Sequence, residues 1–209
     1  MNCLLCQTGS HLFEVDTFVC PKCKLIFKNP ANFWSHEQDV ARYTTHNNNS
    51  SDQGYVDFLA KLIVPLTPLL PRKFNALDFG CGPGPTLSLL LQKVGGNVEN
   101  YDPIFFPDAH LLIPELYDVV TSTEVVEHFK EPYQNWETLT SLVKDGGLLA
   151  IMTLLYSNEI NFKSWWYKND NTHVVFYQKE TMDYLAEIYN LEVVFSDNKS
   201  IIIFKKRES

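Results

Sequence analysis

Glu124, Glu127 and His128 stand together in the run Glu-Val-Val-Glu-His, and His173 follows in Asn-Asp-Asn-Thr-His. Two carboxylates and two imidazoles are a donor set for a divalent metal ion. The first three lie at i, i+3 and i+4, so a helical turn starting at Glu124 would gather them on one face. The same histidines could act instead as general bases, since an imidazole has an ordinary pKa near ~6.5. A second donor set is softer. Cys3-x-x-Cys6 and Cys20-x-x-Cys23 are separated by residues 7–19, and two such knuckles can surround one tetrahedral zinc with four thiolates. A third pattern, Asp78-x-Gly80-x-Gly82-x-Gly84, carries no nucleophile. Its glycines allow a tight turn on which a cofactor could lie against backbone. Asp102 offers a carboxylate suited to ribose hydroxyls. The pattern is not a dinucleotide fingerprint, because Pro85 stands where the third glycine of that motif would be.

These groups need elements to hold them. Residues 75–79 read as a short apolar strand before the glycine turn, 86–94 as an apolar helix stopped by Gly95-Gly96, and 97–101 as the next strand ending at Asp102. Residues 117–122 read as a buried strand that delivers Glu124 to its C-terminal end, where ligands bind in open α/β sheets. A helix is expected over 133–142, a turn at 145–147, a strand over 148–154 and a helix over 181–189. A closing hairpin is expected from 191–195 and 200–204 around Asp197-Asn198-Lys199. Between the cysteine pairs, alternation over 12–19 predicts a small hairpin that 24–28 would close. Residues 31–54 are a polar connector with a short helix over 36–43, and 55–70 read as the helix before the first sheet strand. Only residues 103–116 separate Asp102 from the strand at Tyr117. That length predicts a degenerate helix and a short strand around 109–113.

Composition fits an enzyme-sized globular unit. The chain has 209 residues, 45% of them hydrophobic, enough for one full core. Its net charge of −8 disfavours broad electrostatic binding to nucleic acid, although Lys22, Lys24 and Lys28 form a modest basic cluster. No apolar leader opens the chain. Residues 59–70 are interrupted by Lys61, Pro65 and Pro68, so no stretch is long enough to span a bilayer. A cytoplasmic protein without disulfides is the expectation. Oligomeric state is left open.

The Asp-x-Gly-x-Gly-x-Gly turn followed by Asp102 resembles motif I of the class I S-adenosylmethionine (SAM) methyltransferases. The resemblance implies an α/β, Rossmann-like fold with a seven-stranded mixed sheet. It implies SAM contacts from Asp78, Gly80, Cys81, Gly82, Asp102, Thr123, Glu124 and Tyr43. Glu-x-x-Glu-His with a later Thr-His is similar to the ubiquinone-pathway O-methyltransferases and to the small-RNA 3′-terminal ribose methyltransferases. In those families a metal holds two adjacent acceptor hydroxyls, which would make Glu124, Glu127, His128 and His173 ligands and give His128, His173 and Glu124 catalytic roles. This likeness covers roughly 74–190. The four cysteines lie outside it and resemble a zinc ribbon, with Cys3, Cys6, Cys20 and Cys23 on a structural zinc. Arg42-Tyr43-Thr44-Thr45-His46-Asn47-Asn48 is similar to a stretch that accompanies such ribbons, which suits 31–54 to act as an active-site lid. The organisation expected is a ribbon over 1–30, the connector over 31–54 and a methyltransferase domain over 55–209. The leading expectation is O-methylation of a small hydroxylated or vicinal-diol molecule. The alternatives are RNA 3′-end ribose methylation, nucleotide-sugar C-methylation, or a non-catalytic SAM-binding scaffold. The acidic residue that usually holds adenine has no clear position in the shortened segment after Asp102.

Overall fold

Chain order begins with a small antiparallel sheet. In the computed structural model, which describes residues 1–45 and 48–208, the cysteine-bearing segment forms β1 (His11–Glu14), β2 (Thr17–Val19) and β3 (Ile26–Lys28). Asp16 takes a left-handed conformation at the hairpin turn. Helix α1 (His36–Tyr43) spans the range expected from sequence, and its start is a capping box. Ser35 accepts from the Gln38 backbone, and the Gln38 side chain accepts from the Ser35 backbone. Helix α2 (Gln53–Leu66) begins at the Asp52 cap, slightly earlier than expected. It buries Leu59, Leu62 and Leu66.

The remaining elements are β4 (Phe74–Phe79), α3 (Thr86–Lys93), β5 (Gly96–Tyr101), β6 (Tyr117–Thr123), α4 (Pro132–Ser141), β7 (Val143–Met152), β8 (Val175–Phe176), α5 (Lys179–Ile188), β9 (Leu191–Ser196) and β10 (Ile201–Lys206). The main sheet runs β5-β4-β6-β7-β10-β9. Its first four strands are parallel, and β10 is antiparallel to both neighbours. Strand β4 is buried at every position except Asn75, as a central parallel strand should be. Alternation along the strands feeds two cores. Ala76, Val119, Ala150 and Ile203 face α2 and α3, whereas Leu77, Val120, Leu149 and Phe204 face α4 and α5. The ribbon residues Cys3, Leu5, Leu25 and Phe27 belong to this second core. The two cysteine pairs therefore share a hydrophobic core with the main sheet.

Among the described residues the main sheet has six strands where seven are expected. Residues around 109–113 do not form a strand. Ala109–Leu111 is a single 3₁₀ turn capped by Asp108. Pro103, Pro107 and Pro114 remove backbone donors throughout the short crossover. Asp102 Oδ1 also accepts the backbone N–H groups of Ile104 and Phe105, turning the chain back at once. Strand β5 is therefore the sheet edge. The Asp145-Gly146-Gly147 turn is absorbed within β7, where the register against β6 shifts between Tyr117 and Val119. Among the described residues, no helix is long and apolar enough to cross a membrane. His46 and Asn47 of the connector motif, and the terminal Ser209, lie outside the described residues.

Candidate active site

The chain leaves β4 toward β5 on one side and returns to β6 on the other. The strand order thus reverses beside β4, and the crevice at the C-terminal strand ends is where ligands bind in such sheets. A cleft of about 940 Å³ lies there. One wall is the glycine turn. Gly80 and Gly82 have φ of +81° and +65°, the region that favours glycine. A Cβ on Gly80 would collide with Val125, and one on Gly82 or Gly84 would collide with Asn48 of the connector. Thr86 Oγ1 donates to the Asn48 carbonyl at 2.8 Å, fixing that crossing. The expectation was bare glycines facing a cofactor. The structure adds that Gly82 and Gly84 also make room for Asn48, the last residue of the connector motif.

Beneath the turn, Asp78 is buried and accepts from Thr121 Oγ1 at 3.0 Å. Burial, reinforced by the nearby Asp102 charge, pushes its pKa up to about 7. Asp102 Oδ2 accepts the Gly82 N–H at 3.0 Å, so this carboxylate braces the turn from β5. Cys81 lines the cleft, its thiol pushed up by burial and by the two carboxylates. Thr123 and Glu124 line the cleft from the end of β6. The cofactor-side residues expected from sequence are thus gathered in one place, together with Tyr43.

The opposite half carries the imidazoles. Among the described residues, Glu127, His128 and His173 each present a ligand atom within 4.8 Å of the others. Glu127 is fully buried; its carboxylate accepts from Tyr167 Oη at 2.6 Å and Thr153 Oγ1 at 2.9 Å. His128 Nδ1 lies 3.0 Å from the Thr172 carbonyl, and His173 Nδ1 lies 2.8 Å from the Tyr167 carbonyl. A carbonyl only accepts, so each Nδ1 carries a proton, and in the neutral ring Nε2 is the nitrogen that keeps a lone pair. This is how metal-ligating histidines are oriented by outer partners. Burial lowers the His173 pKa, the first cause of its shift, which favours the neutral imidazole.

Glu124 does not join this group as the i, i+3, i+4 spacing suggested. Its φ is +53°, so the helical turn starts after it, as a 3₁₀ segment at Val126–His128. Its carboxylate instead accepts from Tyr167 Oη at 3.4 Å. Burial, then the Glu127 charge, raises its pKa well above the carboxylate range. The Tyr167 hydroxyl therefore stands between the two carboxylates. Neither the tyrosine nor Thr153 was assigned such a role from sequence; their contacts cross long sequence separations. In the run Trp165-Trp166-Tyr167, Trp165 and Tyr167 pack among Tyr156, Phe162 and Phe176, while Trp166 is exposed. The run is a packing anchor and does not line the cleft.

The connector closes the third side. Arg42 pairs with Asp170 at 2.9 Å, the Tyr43 ring meets the His128 ring edge-on at 5.4 Å, and Lys130 binds Asp39 and the Trp34 carbonyl. These contacts tie 34–43 to the imidazole half, as Asn48 ties the same connector to the glycine turn.

Away from the cleft, the Sγ atoms of Cys3, Cys6, Cys20 and Cys23 all lie within 4.8 Å of one another. Cys3 and Cys23 are 3.5 Å apart, and Cys6 and Cys20 are 3.4 Å apart. Thiolates at ~2.3 Å from a tetrahedral zinc would sit about 3.8 Å apart, so the cluster fits that ion. The knuckles are built alike. Gln7 N–H donates to the Cys3 carbonyl and Lys24 N–H to the Cys20 carbonyl, and both residues have positive φ.

Comparisons with known proteins agree with this geometry. Residues 51–195 match the family model described as a methyltransferase domain. A ubiquinone biosynthesis O-methyltransferase of Colwellia psychrerythraea is 33% identical over 101 residues, which are 37% of this chain. The match spans 41% of that relative's length. The fold is similar to that of the 1,6-didemethyltoxoflavin-N1-methyltransferase of Burkholderia thailandensis, which was solved with S-adenosylhomocysteine. The TM-score is 0.56 at 13% identity, covering 96% of this chain and 100% of that one. It is also similar to a protein of Galdieria sulphuraria assigned as a sarcosine dimethylglycine methyltransferase. There the TM-score is 0.54 at 14% identity, covering 79% and 90% of the two chains. With the family model matching well over half of its length and the cofactor-side residues gathered at the strand-order reversal, the chain belongs to the SAM-dependent methyltransferases.

Proposed function

We propose that the protein transfers the SAM methyl group to an oxygen of a small hydroxylated or vicinal-diol acceptor, with a divalent metal held by Glu127, His128 and His173. The observation that carries this reading is the pair of imidazoles. Each has Nδ1 tied to a backbone carbonyl and Nε2 left open, beside a buried carboxylate and within one cleft with the glycine turn. When bound, the ion would hold acceptor oxygens and lower the pKa of the one to be methylated. The donor set of one carboxylate and two imidazoles suits magnesium, manganese, zinc or iron.

Methyl transfer needs in-line approach of the oxygen to the sulfonium carbon, so positioning supplies much of the rate. Asp78, Gly80, Cys81, Gly82, Asp102 and Thr123 would hold SAM. Glu124, kept neutral by burial, would face the cofactor as a hydrogen-bond donor and not as a metal ligand. Tyr43 and the rest of 31–54 would act as a lid that excludes water. The curated relative is named for an O-methyltransfer reaction, which favours oxygen as the acceptor atom here. The net charge of −8 speaks against an RNA acceptor. A second reading keeps the same residues without the ion. The neutral His173, with Nε2 free, is also a competent general base. Cys3, Cys6, Cys20 and Cys23 are assigned to a structural zinc within residues 1–30, ahead of the connector and the methyltransferase domain over 55–209.

Calorimetric titration of Mn²⁺ into S-adenosylhomocysteine-saturated protein separates the two readings. The metal reading expects one site beyond the ribbon, weakened at least tenfold by Glu127→Gln and by His173→Asn. Absence of that site, or wild-type affinity in both variants, overturns it in favour of the general base.

A further inference from the structure

The ribbon's sheet does not end at its own hairpin. Strand β3 pairs with β8, Ile26 opposite Phe176 and Phe27 opposite Val175, and β8 begins two residues after His173. The hydrogen-bond ladder continues toward the site. Lys28 N–H donates to the Val174 carbonyl at 2.9 Å, and Val174 N–H donates to the Glu127 carbonyl at 2.9 Å. The residue that follows His173 thus bridges the ribbon to the 3₁₀ turn that carries Glu127 and His128. The Lys28 side chain makes a second tie. Its Nζ donates to the Asp170 carbonyl at 2.9 Å, and its ammonium lies over the Phe176 ring at 5.8 Å. The Asp170 carboxylate in turn accepts the Thr172 N–H at 2.9 Å and hydroxyl at 2.7 Å. The Thr172 carbonyl is the group that orients His128. Burial lowers the Lys28 pKa to about 8, as expected of an ammonium held largely out of water.

The cofactor wall is built differently. The glycine turn is held by Asp102 from β5, by Thr121 from β6 through Asp78, and by Asn48 of the connector. No ribbon residue takes part in those contacts.

We propose that the four-cysteine ribbon is a brace for the imidazole half of the active site, with Lys28 as its positioning residue, holding segment 170–176 and hence His173 in register with Glu127. The proposal rests on the reading of that half as a metal and acceptor site. It gives the ribbon an intramolecular task in place of a separate binding module. Zinc occupancy would then govern the imidazole half while the cofactor half stands without it.

The test uses the full chain and two independent readouts. Lys28→Met keeps the aliphatic stem and removes the donor. It should raise hydrogen exchange in peptides covering 167–176 and weaken Mn²⁺ binding about tenfold, on the scale of lost outer-shell support. Exchange over 76–86 and S-adenosylhomocysteine affinity should stay within twofold of wild type. Lys28→Arg, which retains a donor, should recover most of the Mn²⁺ affinity. Cys20→Ser should give the same exchange pattern more strongly. Unchanged exchange over 167–176 in both Lys28→Met and Cys20→Ser overturns the brace, as does an equal loss of Mn²⁺ and S-adenosylhomocysteine binding. A wild-type protein whose Mn²⁺ uptake is absent, or insensitive to Glu127→Gln, overturns the metal reading instead. The exchange pattern then still decides the brace.

Discussion

Tyr167→Phe removes one hydroxyl and little else. The ring remains packed on Trp165 and His173, and the Tyr167 carbonyl still accepts the His173 Nδ1 proton. What disappears is the 2.6 Å hydrogen bond to Glu127 Oε1, the weaker contact to Glu124, the 3.2 Å contact with Thr153 Oγ1 and the long bond accepted from the Leu154 N–H. Burial and the Glu127 charge hold the phenol well above its ordinary pKa, so it is a donor throughout the accessible range. Glu127 is wholly buried, and its carboxylate would keep Thr153 as a donor and the Glu124 carboxyl as a neighbour. Hydrogen bonds to charged groups contribute about 1.5–3 kcal/mol each. The variant should therefore lose about 2 kcal/mol in urea unfolding. It should also bind Mn²⁺ about 10–100-fold more weakly, the usual effect of removing an outer partner of a metal ligand. A double-mutant cycle with Thr153→Val should show coupling, because the two hydroxyls serve one carboxylate and lie 3.2 Å from each other. S-adenosylhomocysteine affinity is the internal reference and should not move. Stability and Mn²⁺ affinity both indistinguishable from wild type would refute the role given to this hydroxyl.

Asp78 has a folded pKa of about 7 against an ordinary value near ~3.9, so its stabilising contribution is full below the unfolded value and fades as pH rises through 7. Asp78→Asn should therefore gain stability relative to wild type by about 3 kcal/mol between pH 5 and pH 8, read by urea denaturation at both pH values; a constant difference would show that Asp78 is not a buried, neutral carboxyl. Gly82→Ala places a Cβ at positive φ and against Asn48, so S-adenosylhomocysteine affinity should fall at least tenfold by calorimetry; retention of affinity would remove the glycine turn from the cofactor site. Protein purified without added metal should carry one zinc per chain by elemental analysis, and Cys20→Ser should lose it.

Features set by local chemistry were legible in the sequence. The glycine turn, the Asp102 carboxylate and the two cysteine knuckles depend on short spacing, and each stands where that spacing implied. The short helix expected over 36–43 is α1, whose Ser35–Gln38 capping box is a local device of the same kind. Features set by tertiary contact were not legible. Tyr167 stands in the aromatic run 165–167, and its link to Glu127 spans 40 residues. Asn48 meets Gly82 and Gly84 only because the connector folds back over them. The positive φ at Glu124 defeats a ligand set built on helical periodicity, and no residue type there signals it. The missing seventh strand had partial warning in the short crossover; its three prolines argued against a strand more strongly than the family pattern argued for one. The pairing of β3 with β8 joins residues about 150 positions apart and left no trace in the sequence.

Transfer of a labelled methyl group from SAM is the most direct measurement. The protein, freed of loosely held metal by a weak chelator and then supplied with Mn²⁺ or Mg²⁺, would be offered a catechol as a vicinal-diol probe beside the matching monophenol. Label is expected on a catechol oxygen, with strong dependence on the added ion and loss of that dependence together with activity in His173→Asn. Equal methylation with and without the ion, or equal use of the monophenol, would overturn metal-assisted transfer to a diol.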